Sequence, residues 1–495
     1  DITGRNLMGL SLNINRRAGQ PLYRQIAEQI RTQIRDGRLP VGTRLPPIRT
    51  LAADFGVTRP TVESAYDELR ADGWVETAVG RGTFVAREAA ADEVIQSLGF
   101  NLTPTGVLLD MPRIESVATL RSLAYAEPDL NLFPLDDMLG SLNHMRRADA
   151  VDILRYAPTQ GDAALRIELV NLLRDRGLET VPENIIVTTG ATQGLSLVMQ
   201  ALLDRGDHVV VEEPTHICLL NAIKAFGLNP VGVPMDEDGV KIDKLERIFT
   251  QYRPRVFYTV PNYQNPTGAV MSQYRREKLL ALAKQYGVII VEDDVYGVLS
   301  YDNVVPPALK TLDTEDLVVY VTSASKTLAN GMRLGYMVAP EPLHEHILRL
   351  KYGTDISTPM LTQRIFLQLI QSGRYKTHLK RVVPLYAERR DAALRALRTH
   401  MPAGATWSAP GGGLSIWVTL PDGVDSATVH RNALRQGFAF TPGDAFFVCN
   451  KPNAHIRICF GAHNPYVLEE AVRVLAQVVR DEQAAGKTPP YISPQ

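Results

Sequence analysis

Five short runs limit what most of this chain can fold into. Segments 185-IIVTTG-190, 208-HVVVEEP-214, 255-RVFYTVP-261, 288-VIIVEDD-294 and 317-LVVYVTS-323 are β-rich and apolar almost throughout. Helical patterns such as 193-QGLSLVMQALLD-204 and 273-QYRREKLLALAKQYG-287 fall between them. A strand with no polar face must be covered on both sides, and a helix between consecutive strands is the crossover that parallel pairing needs. From about residue 120 onward, the pattern predicts a parallel sheet with helices on both faces. Ligands on such sheets bind beyond the carboxyl ends of the strands.

The residues at those ends are the next constraint. The first run ends in Gly190-Ala191-Thr192 and opens a helix, which offers free backbone N–H groups and a dipole suited to phosphate. Glu213-Pro214-Thr215-His216 follows the second run and 261-PNYQNPTG-268 the third. The fourth ends in Asp293, with Tyr296 three residues on. Beyond the fifth lie Ser323, Ser325 and Lys326, with Arg333 seven residues further. Singly, each has a plain structural reading: a solvated lysine in a Ser-rich loop, a β-turn at NPTG, a helix cap at Asp293. At consecutive strand ends they make a set: an amine for a Schiff base, an anion to keep a ring nitrogen protonated, a phenol, an amide and a phosphate cradle. Pyridoxal 5'-phosphate needs that set.

The front of the chain is built differently. Residues 16–87 hold twelve Arg, no Lys and eight acids, a net of +4 in a chain whose total is −1. No lysine occurs before Lys224. Arginine favours bidentate contacts with phosphate and guanine, although genomic base composition also enriches it. In 21-PLYRQIAEQIRTQIRDGRLP-40, Ile26, Ile30 and Ile34 recur every four residues, predicting an amphipathic helix stopped at Gly37. In 48-IRTLAADFGVTRPTVESAYDELRADGWVE-76, a short helix ends at Gly56. Thr58 then caps a second helix that buries Val62, Ala65, Tyr66 and Leu69. The short joint gives helix-turn-helix geometry, and the two strands around Gly80-Arg81-Gly82 read as a wing. A helical hairpin packed on the main body is the structural alternative, but the cap, the wing and the arginines occur together.

Residues 19–86 resemble the winged helix-turn-helix of the GntR superfamily, most clearly in LPPIRTLAADFGVTRPTV and GRGTFV. The resemblance implies that Arg49, Thr58, Arg59 and Thr61 touch double-stranded operator DNA, with Arg81 and Gly82 at the wing. Glu63 stands where some relatives carry a basic residue. Residues 120–482 resemble the fold-type I aminotransferases. That resemblance implies Lys326 as the Schiff-base lysine, Asp293 at the pyridinium nitrogen, and Tyr296 and Asn265 at the ring hydroxyl. Ser323, Arg333, Gly190, Ala191 and Thr192 would cradle the phosphate, with Ser325 also at the cofactor. Tyr156, in 154-LRYAPTQGDAALR-166, would reach a partner's phosphate in a homodimer. Arg457 would pair with a ligand carboxylate; its alternative is a surface strand arginine. His216 departs from the family's stacking aromatic, either bonding a substrate or packing as a satisfied imidazole under the ring. The segment 410-PGGGLSIW-417 matches a mobile substrate-side loop, or is a flexible turn.

The fold class expected is multidomain: an N-terminal α+β winged helix and a large α/β domain of the pyridoxal phosphate-dependent transferase fold type I, with a small C-terminal α/β lobe. A linker over 87–119 would join them. The whole layout resembles the MocR-type subfamily of GntR regulators. It implies a head-to-tail homodimer in which pyridoxal phosphate, or a small amine or amino acid captured on it at Lys326, modulates DNA binding. The alternative is an active aminotransferase with an accessory DNA-binding module. The three cysteines, Cys218, Cys449 and Cys459, form no CxxC pair, which argues against a zinc site or disulfide framework. With no apolar run near 18 residues, no membrane role and a cytoplasmic location are expected.

Overall fold

The computed structural model describes residues 10, 12–15, 20–35, 38–40, 42–71, 74–78, 82–86, 120–143, 151, 153–302, 305–341, 343–449 and 454–486. Arg81 and the linker expected over 87–119 lie outside them. The chain divides into two compact units, residues 1–122 with 430–439 and residues 123–429 with 440–495.

The first unit begins with α1 (Leu22–Arg35), whose Ile26, Ile30 and Ile34 are buried. Next come α2 (Ile48–Asp54) and α3 (Arg59–Ala71), turned at Gly56 with φ +60. Leu51, Ala52 and Phe55 of the first of these face inward, as do Val62, Ala65, Tyr66 and Leu69 of the second. Tyr66 donates its hydroxyl to the Pro46 carbonyl at 2.7 Å, which satisfies the phenol in a buried position. The wing is an antiparallel pair, β1 (Val75–Ala78) and β2 (Gly82–Val85), with Ala78 opposite Gly82.

One packed piece lies upstream of residue 19. Leu10, Leu12 and Ile14 are buried at alternate positions of an extended segment. Two glutamines of α1 hydrogen-bond its backbone at Asn13 and Asn15. Asn13 N donates to Gln29 Oε1 at 2.6 Å and Gln29 Nε2 donates back to Asn13 O at 2.7 Å. Gln25 makes the same exchange with Asn15 at 3.0 Å each way. A strand (β3, Arg121–Ser122) pairs in parallel with β14 (Phe438–Ala439) in this unit.

The second unit carries an eight-stranded sheet. In chain order its strands are β4 (Ile185–Thr188), β5 (His208–Glu213), β6 (Asn229–Asp236), β7 (Gly239–Val240), β8 (Val256–Thr259), β9 (Ile289–Asp293), β10 (Val318–Ser323) and β11 (Gly335–Val338). Their spatial order is β4-β11-β10-β9-β8-β5-β6-β7. The run from β10 to β6 is parallel, but β11 is antiparallel to both its neighbours and β7 is antiparallel to β6. The wholly parallel sheet expected is thus a mixed one. β11 begins within ten residues of Lys326, too soon for a helical crossover, so it returns antiparallel.

Period-two alternation explains why the strands read as continuously apolar. Val209, Val211, Tyr258, Val291 and Val319 enter one core, while Val210, Phe257, Ile290 and Val318 enter another. Each strand feeds hydrophobic layers on both faces. The C-terminal lobe adds an antiparallel sheet of order β12-β13-β16-β15, formed by Thr406–Trp407, Ser415–Thr419, His455–Cys459 and Thr441–Pro442. Among the described residues, no helix is long and apolar enough to cross a membrane.

Candidate functional site

The strand ends do converge. Asp293, the last residue of β9, is 2% exposed. Its Oδ2 accepts the Tyr258 hydroxyl at 2.8 Å, and its Oδ1 has no partner in hydrogen-bond geometry. Burial pushes this carboxyl up to about 6, against the pull of the Tyr258 hydroxyl and the nearby Val295 backbone N–H. A buried acceptor left open in this way gains from a cationic N–H donor.

A cradle lies at the end of β4. Gly190 has φ +83 and starts the helix Ala191–Leu202 with no side-chain cap, so the first N–H groups face outward. A Cβ on Gly190 would lie 2.8 Å from the Arg333 guanidinium, and one on Gly335 would meet the Gly190 backbone at 2.6 Å. Only glycine lets these pieces close up. Arg333 is exposed, at φ +46, and donates to Thr189 O at 3.2 Å. Ser323 and Ser325 are buried and linked, the Ser325 N–H donating to Ser323 Oγ at 3.4 Å. An anion-holding helix start, an arginine and two hydroxyls form a donor set that fits a phosphate, and Asp293 fits a protonated ring nitrogen.

Lys326 donates to the Ala126 carbonyl at 2.9 Å. Burial lowers its pKa, while the Glu127 charge works in the opposite direction. His216 precedes the helix Ile217–Ala225, and its buried Nδ1 has no partner. Burial, then the charges of Lys326 and Arg457, press the imidazole down to about 3, so it is neutral at physiological pH. Tyr296 is buried, and burial raises its phenol.

Arg457 is 3% exposed, which removes the surface-arginine reading. Its Nη1 donates to Asn265 Oδ1 at 2.8 Å, and its Nη2 donates to the carbonyl of Ala124 and to Thr441 Oγ1. The guanidinium lies 4.7 Å over the Phe446 ring, and Nε has no partner. Asn265 thus faces the arginine. Tyr156 is 82% exposed and takes no part in these bonds. The glycines of 410-PGGGLSIW-417 are packed: Gly412 bridges Ser300 and abuts the Tyr263 ring.

Several participants were not anticipated. Tyr258 lies inside an apolar run, where a phenol reads as core. The segment Leu123–Asp129 has no periodicity, yet its carbonyls at Ala124 and Ala126 hold Arg457 and Lys326. Glu212 is fully buried, where burial raises its carboxyl to about 7 against bonds from Thr259 and Gln264. Within PNYQNPTG, Gln264 thus serves Glu212, while Asn262 serves Asp294 at 2.8 Å. The polar character of that motif was the available signal.

On the winged helix, Arg49, Thr58 and Arg59 are exposed and Thr61 is half-buried. Thr58 Oγ1 meets Thr61 Oγ1 at 2.8 Å and accepts the Thr61 N–H at 3.4 Å, a cap at the start of α3. Gly82 has φ +117, and the Arg44 side chain covers it, Nε standing 3.0 Å from where a Cβ would be. Arg44 is exposed and joins the wing through a bridge to Phe84, a cation that sequence reading passed over.

Comparison with known proteins bears on both units. Residues 22–85 match the family of bacterial regulatory proteins, gntR family, and residues 119–475 match aminotransferase class I and II. The chain is 31% identical over 473 residues to the Bacillus subtilis protein named uncharacterized HTH-type transcriptional regulator YdfD, covering 93% of this chain and 97% of that one. It is 28% identical over 485 residues to the probable rhizopine catabolism regulatory protein MocR of Rhizobium meliloti, covering 97% and 98%. The solved Pyrococcus horikoshii kynurenine aminotransferase, in complex with PMP, is similar with a TM-score of 0.73 and 33% identity, over 78% of this chain and 96% of that one. An aminotransferase fold of this kind implies pyridoxal phosphate, and a helix-turn-helix regulator implies DNA. The chain belongs to the MocR-type transcriptional regulators of the gntR family, a winged helix-turn-helix followed by a class I and II aminotransferase domain of fold type I.

Proposed function

We propose that this regulator binds operator DNA as a homodimer in the cytoplasm, and that its aminotransferase domain uses pyridoxal phosphate to sense an amine or amino acid. The observation that carries the reading is the open Oδ1 of buried Asp293, in a domain that also holds Lys326 and the Gly190–Arg333 cradle. Asp293 would hold the ring nitrogen. Ala191 and Thr192 N–H groups, Ser323, Ser325 and Arg333 would hold the phosphate, and Tyr296 and Asn265 the ring hydroxyl. When bound, the cofactor supplies an electrophilic carbon for amines and a protonated ring that accepts electron density.

The protein's own side chains provide a path for the signal. Lys326 and Arg457 are both hydrogen-bonded to the segment that follows the expected linker, at Ala126 and Ala124. A ligand that recruits Lys326 and presents a carboxylate to Arg457 takes away those two bonds. The segment's resting position is then no longer favoured, which would couple ligand to DNA. By linkage, DNA must change the ligand's affinity by the same factor as the ligand changes the DNA's.

A second reading, an active aminotransferase with an accessory DNA module, draws on relatives such as the aromatic-amino-acid aminotransferase 1 of Thermococcus litoralis, 32% identical over 393 residues. The regulators named above match across the winged helix as well, which favours sensing. The test is fluorescence anisotropy with DNA from upstream of the protein's own gene, at fixed salt. It compares apo protein, protein with pyridoxal phosphate, and protein with pyridoxal phosphate plus an amino acid panel, each repeated with Lys326→Ala. A ligand-dependent shift that the variant loses supports sensing. DNA affinity indifferent to every ligand, with steady turnover on a keto acid, overturns it in favour of the enzyme.

A further inference from the structure

Glu127 is a carboxylate near Lys326 that the cofactor reading leaves unused. It is half-buried, in the segment whose Ala126 carbonyl accepts the Lys326 ammonium at 2.9 Å. Its Oε1 accepts the Asn330 side-chain amide at 2.6 Å, and Asn330 lies four residues beyond Lys326. The carboxylate is thus tied at one oxygen to the lysine's own loop. The backbone beneath it is fixed too, because Gly461 packs directly on the Glu127 carbonyl. Its charge reaches both Lys326 and the buried Cys459 thiol next to Arg457 in sequence terms, at two residues' remove.

The other charged groups here have assigned partners. Asp293 is buried and bonded to Tyr258, Arg333 lies at the Gly190 cradle, and Arg457 is stacked on Phe446 and bonded to Asn265. Glu127 is left as a half-buried carboxylate tied to the loop that carries Lys326.

We propose that Glu127 determines which amines the site accepts: it favours a ligand that carries a second cationic group and disfavors one whose side chain ends in a carboxylate. The inference rests on the cofactor reading above. A second ammonium would find Oε2 as an acceptor whose position is already held by Asn330, so little conformational freedom is lost on pairing. A second carboxylate would meet like charge in a partly desolvated place, where it is poorly screened. Opposite- and like-charged ligands of equal size should therefore differ by at least about tenfold in affinity, the range of one well-placed, partly buried charge pair.

The test uses full-length protein loaded with pyridoxal phosphate, with the cofactor's near-visible absorbance as the binding signal. Ornithine, norvaline and glutamate are titrated as cationic, neutral and anionic probes against wild type, Glu127→Gln and Glu127→Lys. Wild type is expected to bind ornithine at least about tenfold tighter than glutamate, with norvaline between them. Glu127→Gln should bring the three together, and Glu127→Lys should move the preference to glutamate. A merely structural role would shift all three ligands alike and leave their order unchanged, and that result overturns the proposal. Cofactor absorbance that responds to norvaline and ornithine equally in wild type overturns it while leaving the cofactor reading standing. Absence of any cofactor absorbance in wild type overturns both.

Discussion

Asp293 and Asp294 are neighbours at the end of β9, and their two surroundings behave in opposite ways. Asp294 has a full set of partners: Asn262 donates to Oδ1 at 2.8 Å, and Arg176 and the Tyr320 hydroxyl donate to Oδ2 at 2.5 and 3.0 Å. Arg276, itself 2% exposed, completes the cluster by donating to Asn262 Oδ1 at 2.7 Å and to the Pro307 and Pro261 carbonyls. One residue earlier the pattern breaks. Asp293 keeps an unpartnered Oδ1, and His216 an unpartnered Nδ1. A carboxylate with both oxygens paired, like Asp294, gains little from a ligand and holds loops together. An unsaturated one is destabilising until a ligand completes it. Alternation along β9 places the two carboxylates on opposite sides, so a single strand end serves both purposes.

The largest expected effect comes from breaking the saturated side. Asp294→Ala strands the Arg176 guanidinium, whose side chain is 7% exposed, without its counter-charge. It should cost about 3–5 kcal/mol of unfolding free energy, read from denaturant melts. A loss under about 1 kcal/mol would mean the cluster is not structural.

The unsaturated side should respond in the opposite direction. The Asp293 carboxyl is raised in the folded protein from 3.8 to about 6. The native state then binds more protons than the unfolded chain in that window, so this group makes stability fall as pH rises from about 4 to 6, with the full loss present at neutral pH. Asp293→Asn removes that slope and should raise the stability of cofactor-free protein at neutral pH by up to ~3 kcal/mol. The same change should weaken pyridoxal phosphate binding about 10- to 100-fold, because a charge-assisted hydrogen bond is lost. A variant that melts lower than wild type without cofactor would show that Asp293 belongs with its neighbour.

A third contrast lies in the winged helix, where candidate residues stand in solvent and little folding energy is at stake. Arg59→Ala should leave the melting temperature unchanged. It should weaken operator binding by about 1–3 kcal/mol and relax preference at one base position. Arg49→Ala should weaken all DNA sequences alike and reduce the salt slope by about one. If the two variants behave identically, neither reads a base.

The sequence showed these regions unequally. Helices of the winged unit were visible because Ile26, Ile30 and Ile34 must share a face. Positions such as Asp293 and Lys326 were visible because sheet topology forces strand ends together. The antiparallel turn of β11 was not, since its four residues carry no signal of direction. Nor was the packing of Leu10, Leu12 and Ile14, because the glutamine side chains that bond Asn13 and Asn15 carry no sequence signal of that role. Glu127 and the carbonyls of Ala124 and Ala126 were hidden for a different reason. They act through backbone position in an aperiodic segment, and no residue-type pattern marks that.

The central claim is that the open polar set around Asp293 is completed by the cofactor. It is tested most directly by four melts at neutral pH: wild type and Asp293→Asn, each with and without pyridoxal phosphate. The account predicts that the variant melts above wild type without cofactor and gains less on adding it, since stabilisation follows the logarithm of ligand concentration over Kd. Equal gains in both proteins, or a variant that starts lower, would contradict it.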